Sequence, residues 1–454
     1  MTKLVRRVRT GWGLIALIWL ITTGLVSGAL VFVPGAEGDG DSIDAAVSND
    51  GRYVAFASSA TNLVPGDTNG VQDVFLHDRQ TGETRRVSAA PDGKEPDDYS
   101  ELPALSADGR FVAFHSLASN LMPLDTNMEA DVFVYDVVNG DLSRVSVVSG
   151  GAQAAGASYD PDISADGRYV VFTSTAINLV AADDSPWPDV YIHDRETGQT
   201  SLVSFDAAGT RGAGFSGQPS VSADGRVVAF ASGASDIVPG DTNDYADIFV
   251  RDRQTGKTAR VSVNSNGDET FAESYDPAIA ADGRVVAFWS YAADLTGDDT
   301  GGRANVFVHD RQTKTTEMVS VALGGSPDGD STQPRLSGDG RLVVFESTAA
   351  NLVAQDDNAA SDVFIRDRDL ATTALLSAGA AGAGNGDSAR PAVTPDGEFV
   401  VFQSAADDLV AEDGNAATDV FISGRTNGTV ERVSVAGAGT GPGGSRVFLG
   451  VIIR

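Results

Sequence analysis

A chain of 454 residues is long enough for one large domain or about two to four ordinary ones, and its formal charge of −31 excludes nucleic acid and anionic lipid surfaces as partners, since both demand a basic patch. The absence of cysteine removes disulfides, thiolate zinc sites, a cysteine nucleophile and lipid attachment through sulfur. Positive charge is almost all arginine, the only lysines being Lys3, Lys94, Lys257 and Lys314.

In chain order, Lys3, Arg6, Arg7 and Arg9 come first and are followed by the uncharged run 10–36, "TGWGLIALIWLITTGLVSGALVFVPGA". A signal-peptide core needs only about 7 to 15 apolar residues and a span about 20, so residues 1–36 read as a transmembrane anchor with the rest of the chain outside the cytoplasm. Cleavage after "SGA" (27–29) is the rival reading and gives a secreted protein. Residues 37–41 then read as a linker.

From residue 42 onward the chain repeats. An Asp-Gly glycine returns at Gly51, Gly109, Gly167, Gly225, Gly283, Gly340 and Gly397, giving units near 42–99, 100–157, 158–215, 216–273, 274–330, 331–387 and 388–444, with 445–454 as a closing strand. Each unit holds four strand-like runs. The first opens at a proline, as in "PDIS" at Pro161; Asp-Gly makes a hairpin turn into the second, which ends F-x-S; the third reads "DVFLHD" and the fourth "RVSV". The second and third runs are apolar throughout, so both their faces are covered. Seven such units predict an all-β, seven-bladed β-propeller of four-stranded antiparallel blades.

The pattern S-x-D-G-R-x-V-x-F-x-S followed by D-V-F-x-x-D, over about residues 42 to 436, resembles the repeat of TolB-type propellers, bacterial relatives of the tryptophan-aspartate repeat. The resemblance implies the propeller fold. It is confined to the propeller and implies no partner.

On this reading the loops after the second and fourth strands share one face and are long, acidic and varied, whereas the Asp-Gly and Gln-Thr-Gly turns opposite are short and repetitive. Variable loops on a rigid scaffold carry binding. At the start of each first strand a serine recurs (Ser42, Ser100, Ser158, Ser216, Ser274, Ser331, Ser388), and seven copies at one place read as hydrogen-bonders rather than nucleophiles. Two residues on, the side chain changes from blade to blade: Asp44, Leu102, Asp160, Gln218, Asp276, Gln333 and Arg390. The polar members of that set are the candidate ligand-binding residues at a channel mouth, the alternative being a solvated rim.

The loop after the second strand reads D-T-N-G-x-x-D, giving Asp67, Asn69 and Asp73, then Asp125, Asn127 and Asp131, and Asp241, Asn243 and Asp247. Calcium favours such oxygens, but the fifth ligand and the terminal glutamate of an EF-hand loop are missing, and turn capping by short Asp and Asn side chains explains the same pattern. No other cofactor is expected. His77, His193 and His309 recur on third strands too far outward to converge, and His115 is expected to lack a partner. No G-x-S-x-G, G-x-x-x-x-G-K or H-E-x-x-H motif is present. The expected function is non-enzymatic binding or scaffolding at the cell envelope, with an envelope protein or glycan as partner. The alternative is a carbohydrate-active enzyme, a hydrolase or lyase, working with channel carboxylates.

Overall fold

The computed structural model describes residues 35–181, 187–206, 209–298, 300–380 and 382–437. The anchor expected at 1–36, apart from its last two residues, and the strand expected at 445–454 lie outside them.

Seven four-stranded antiparallel sheets follow one another along the chain, each with its strands in sequence order. Blade 1 is formed by β1 (Ser42–Val47), β2 (Tyr53–Ser58), β3 (Asp73–Asp78) and β4 (Glu83–Arg86). Blades 2 to 7 repeat this over 100–144, 158–202, 216–260, 274–318, 331–375 and 388–432. Two strand assignments from sequence shift. The first strand starts at the repeated serine rather than the proline, as in Ser158–Ile163. The fourth ends where "RVSV" begins, because the serine of that stretch turns inward as a cap: Ser88 Oγ accepts the N–H of Val74 at 3.0 Å and donates to Asp73 Oδ1 at 2.7 Å.

The apolar second and third strands are buried because each blade is sandwiched. Phe56 and Phe75 face each other across the β2–β3 ladder with ring centroids 6.0 Å apart, both fully buried, and the pair recurs in every blade, with Tyr191 replacing phenylalanine in blade 3. The core is thus a ring of inter-blade layers, one of which joins Val54 and Phe56 of blade 1 to Val401 and Ile422 of blade 7. The Asp-Gly glycine serves this packing as well as the turn: Gly51 has φ 68°, and a Cβ there would lie 2.4 Å from the ring of Phe399 in blade 7.

Neighbouring blades are also tied near these turns by backbone bonds from Asn49 to Ala107, Ala107 to Ala165, and onward to Gly338 and Pro395. The series stops at the seam because Pro395 has no N–H to give. The residues expected as a linker stand at that seam. Glu37 bridges Val435, Gly38 N–H donates to Ser434 O at 3.2 Å, Ser42 N–H to Thr418 O at 2.7 Å, and Glu37 Oε2 lies 2.9 Å from Arg432 Nη1. In blades 2 to 4 the matching bridges are made within one loop, as between Val147 and Gln153. Glu37 therefore supplies to blade 7 what the following loop supplies elsewhere.

Candidate functional site

The repeated serines are hydrogen-bonders, and their partner is the serine of F-x-S. Ser42 and Ser58 hydroxyls lie 2.9 Å apart, fully buried, and Ser58 Oγ also donates to Asp41 O and accepts the N–H of Ala60. The same pair closes the top of each blade, through Ser100–Ser116 and Ser158–Ser174 to Ser388–Ser404.

Immediately beyond the serine the first strand bulges. Its register with the second strand shifts between Ile43 and Ala46, and the residue in the bulge is left-handed in all seven blades: Asp44 (φ 56°), Leu102 (50°), Asp160 (53°), Gln218 (53°), Asp276 (52°), Gln333 (51°) and Arg390 (52°). In six blades a proline follows, and proline is tolerated in a ladder only at an edge or a bulge. Holding a non-glycine residue at such a φ costs about 1 to 3 kcal/mol. The candidate ligand-binding residues thus share one strained backbone position on the inner edge strand.

Their surroundings form one electrostatic system. Arg390 is ion-paired with Asp44 across the blade 7–blade 1 seam, and the amide of Arg390 donates to Glu346 Oε2 at 3.0 Å. Asp44 N–H is held by Gln403 Oε1, and Asp276 N–H by Gln218 Oε1, both at 3.1 Å. Burial pushes the carboxyls of Asp44 and Asp160 above the usual range. Arg390 opposes the rise at Asp44, and His115 opposes it at Asp160, where Asp276 and Glu101 add to it.

His115, expected to be alone, has a partner. Its Nε2 is 3.3 Å from Glu101 Oε1, and that bond draws the Glu101 carboxyl below its ordinary range. His115 is buried, with no hydrogen-bond partner at Nδ1 among the described residues. The serine pairing sets the register, so Ser100 opposite Ser116 places Glu101 opposite His115. The same arithmetic can be read from the hairpin, because Glu101 follows Ser100 as His115 precedes Ser116. In blade 5 the same two positions hold Tyr275 and Trp289, whose rings are 5.2 Å apart, with Tyr291 edge-on to Trp289 at 5.6 Å. The channel mouth therefore combines carboxyls, one guanidinium, one imidazole and an aromatic cluster.

His77, His193 and His309 are instead buried in their own blades, each with Nδ1 2.9 Å from a threonine hydroxyl on the fourth strand.

The acidic loops are not open cages. In blade 1, Arg86 Nη1 stands 3.3 Å from Asp67, 3.0 Å from Asp73 and 2.9 Å from Glu95, while Asn69 donates to Asp73. In blade 2, Arg144 is 2.7 Å from Asp131 and 3.8 Å from Asp125, and Gln153 donates to Asp125, Asn127 and Asp131. In blade 4, Arg260 meets Asp241, Asp247 and Glu269 at 2.9 to 3.0 Å, with Asn243 donating to Asp247. In these three blades a guanidinium lies among the carboxylates. Its sequence signal is an arginine 13 residues after the aspartate that opens the third strand, at Arg86, Arg144, Arg260 and Arg432.

No protein-family model and no curated protein sequence matches this chain. Solved structures do. The β-propeller domain of the Trilobed protease from Pyrococcus furiosus is 14% identical, with 87% of this chain and 95% of that one covered and a TM-score of 0.55. Oligogalacturonate lyase from Vibrio parahaemolyticus is 16% identical over 86% and 89%, TM-score 0.50, and TolB from Acinetobacter baumannii is 16% identical over 79% and 67%, TM-score 0.42. Likeness at this identity shows fold alone. Taken with its seven copies of the repeat, the likeness shows that this chain is a seven-bladed β-propeller of four-stranded blades.

Proposed function

We propose that this protein is an exported, membrane-tethered binding propeller that captures an envelope glycan or protein at its channel mouth without turning it over. One observation carries the reading: seven copies of an otherwise repeated unit hold the same strained backbone position and place Asp, Leu, Asp, Gln, Asp, Gln and Arg there. The serine two residues before it, whose role is a buried hydrogen bond, is the same in all seven. Strain held in common with side chains that differ fits a surface selected for what it touches. The aromatic cluster at Tyr275, Trp289 and Tyr291 adds flat apolar faces against which sugar rings stack.

The test is capture from envelope extract with the full chain as bait, followed by binding measurements on the isolated partner. Asp160→Asn, Asp276→Asn and Arg390→Gln should each weaken binding by about tenfold or more, the scale of one lost hydrogen bond to a charged group. Melting should stay unchanged for the two Asp→Asn variants, since Asn tolerates the left-handed position, whereas Arg390→Gln should also lower it by removing the partner of the buried Asp44. Arg79→Gln, on the opposite face, should leave capture intact. Equal effects from both faces refute the channel-mouth reading.

A second reading has its own observation, the buried His115 paired with a half-buried Glu101 beside carboxyls whose pKa values are raised. Such pairs do acid–base work in glycan cleavage. Turnover of an acidic or neutral envelope glycan, abolished by His115→Gln or Asp160→Asn, decides for the enzyme.

A further inference from the structure

The loop sockets follow a rule of charge compensation, and one blade breaks it. Arginine fills the socket from the fourth strand in blades 1, 2, 4 and 7, and in blade 3 Arg211 from the following loop pairs with Asp189. Blade 5 has Met318 at the arginine position and has also lost the buried carboxylate. Asn305 stands there, satisfied by Ser320 and by two backbone carbonyls. The arginine and its third-strand partner have changed together.

In blade 6 the arginine has left while two of its carboxylates stay. Leu375 occupies its position and Ala383 that of Glu95, yet both aspartates remain. Asp362 is fully buried, with Ser377 and Asn358 bonded to its two oxygens. Asp356, the counterpart of Asp67, is only 8% exposed, and its Oδ1 is buried with no hydrogen-bond partner among the described residues. In blades 1, 4 and 7 the equivalent oxygen points at a guanidinium. Beside Leu375 and Ala383 lies a cavity of about 590 Å³, also lined by Leu323, Val353, Gln355 and Ala378. Burying two carboxylates without a countercharge is costly, and among the described residues no other blade leaves both in place without a cation.

We propose that the blade 6 socket binds an arginine side chain supplied by a partner polypeptide, with the guanidinium on Asp356 and Asp362 and the aliphatic stem over Leu375 and the cavity. Calcium fits less well, because the site offers two carboxylates where that ion takes six to eight oxygens. A guanidinium fits because five sibling sockets are built around one, and its planar fork suits two carboxylates as an ammonium does not. This site lies on the long-loop face, and its case is independent of the channel mouth.

The test uses N-acetyl-L-arginine amide titrated into the full chain, with N-acetyl-L-lysine amide and calcium chloride in parallel arms, followed by calorimetry and thermal melting. The arginine amide should bind saturably and raise the melting temperature, with the lysine amide several-fold weaker. Leu375→Arg should itself raise the melting temperature and abolish the response to arginine amide, because it restores the arrangement of blade 4. Should that variant not fold, Asp356→Asn decides: it keeps the shape, removes the charge, and should weaken arginine-amide binding by about tenfold or more. The proposal is overturned if arginine amide gives no saturable response, if lysine amide matches it, if calcium alone binds, or if Asp356→Asn binds arginine amide as wild type does.

Discussion

Replacing Arg260 with methionine puts the socket logic to a quantitative test. Arg260 is 9% exposed at its side chain and bonds three carboxylates, of which Asp247 is fully buried. Removing one partner of a buried charge cluster costs about 3 to 5 kcal/mol, because the remaining charges are stranded away from water. With an unfolding entropy of about 2.1 cal/mol/K per residue over about 400 residues, 1 kcal/mol is worth about 1.2 °C, so the melting temperature should fall by about 4 to 6 °C. Burial already pushes Asp241 up to about 6 with the arginine present, and its loss raises the carboxyls further. A carboxyl whose folded pKa lies above its unfolded value is most favourable to the fold at low pH, and that advantage is lost as pH rises to the folded pKa. The deficit should therefore be larger at pH 8 than at pH 5.5, by about 1.4 kcal/mol per pH unit per titrating group at most. Asp247→Asn added to Arg260→Met copies the Asn305–Met318 pairing of blade 5 and should recover at least about 1 kcal/mol. Calorimetry at the two pH values checks all three statements. A single variant within 1 kcal/mol of wild type, or a double variant no better than the single, refutes the compensation rule.

Ser58→Ala leaves the buried Ser42 hydroxyl and the Ala60 N–H without their partner and should cost about 1 to 3 kcal/mol in urea denaturation, more than the same change at the exposed Ser59. Glu37→Ala strips the seam of its contacts to Arg432 and Gly414, so native-state hydrogen exchange should rise first in blades 1 and 7; uniform protection would show that closure rests on the apolar layer alone. Arg52 makes a two-bond contact with Asp78 and holds its carboxyl down to about 2, a pair repeated through Arg341–Asp367 in blade 6. A lowered folded pKa stabilises above the unfolded value near 4 and is lost as pH falls toward 2, so the gap between wild type and Asp78→Asn should shrink between pH 5 and pH 3.

The blades were legible in the sequence because their determinants are local and repeated: Asp-Gly for the turn, continuous apolar runs for strands covered on both faces, and F-x-S at a fixed distance. What escaped was set by pairing between segments. The fourth strand was placed too late because Val87 and Ser88 look like strand residues, while their actual work is to fill the layer and cap Asp73. Glu37 looked like a linker because its partners are almost 400 residues away at the other end of the ring. The D-T-N-G loops left turn capping and calcium both open because a carboxylate cluster signals a cation without saying which one, and in four blades an arginine 13 residues on from the last aspartate lies among these carboxylates.

Sevenfold repetition also separates three kinds of variation. Where a change in one partner is matched by a change in the other, as in Met318 with Asn305, the unit has kept its own stability and nothing outside it need be invoked. Where the backbone is held constant at a cost and the side chain alone varies, as from Asp44 to Arg390, stability is not what the variation preserves, since a glycine would relieve the strain at every one of those positions. Blade 6 belongs to a third class, in which the compensating partner has gone and the charges that needed it have stayed. Each class predicts a different response to restoring the sibling residue. Restoration at a compensated site should destabilise, as Met318→Arg would by bringing a charge to a neutral asparagine. At the channel mouth, making all seven positions alike should leave folding intact and abolish selectivity, and in blade 6 restoration should stabilise. The sign of the three effects, measured on one scaffold, distinguishes drift within a fold from surfaces shaped by something the fold binds.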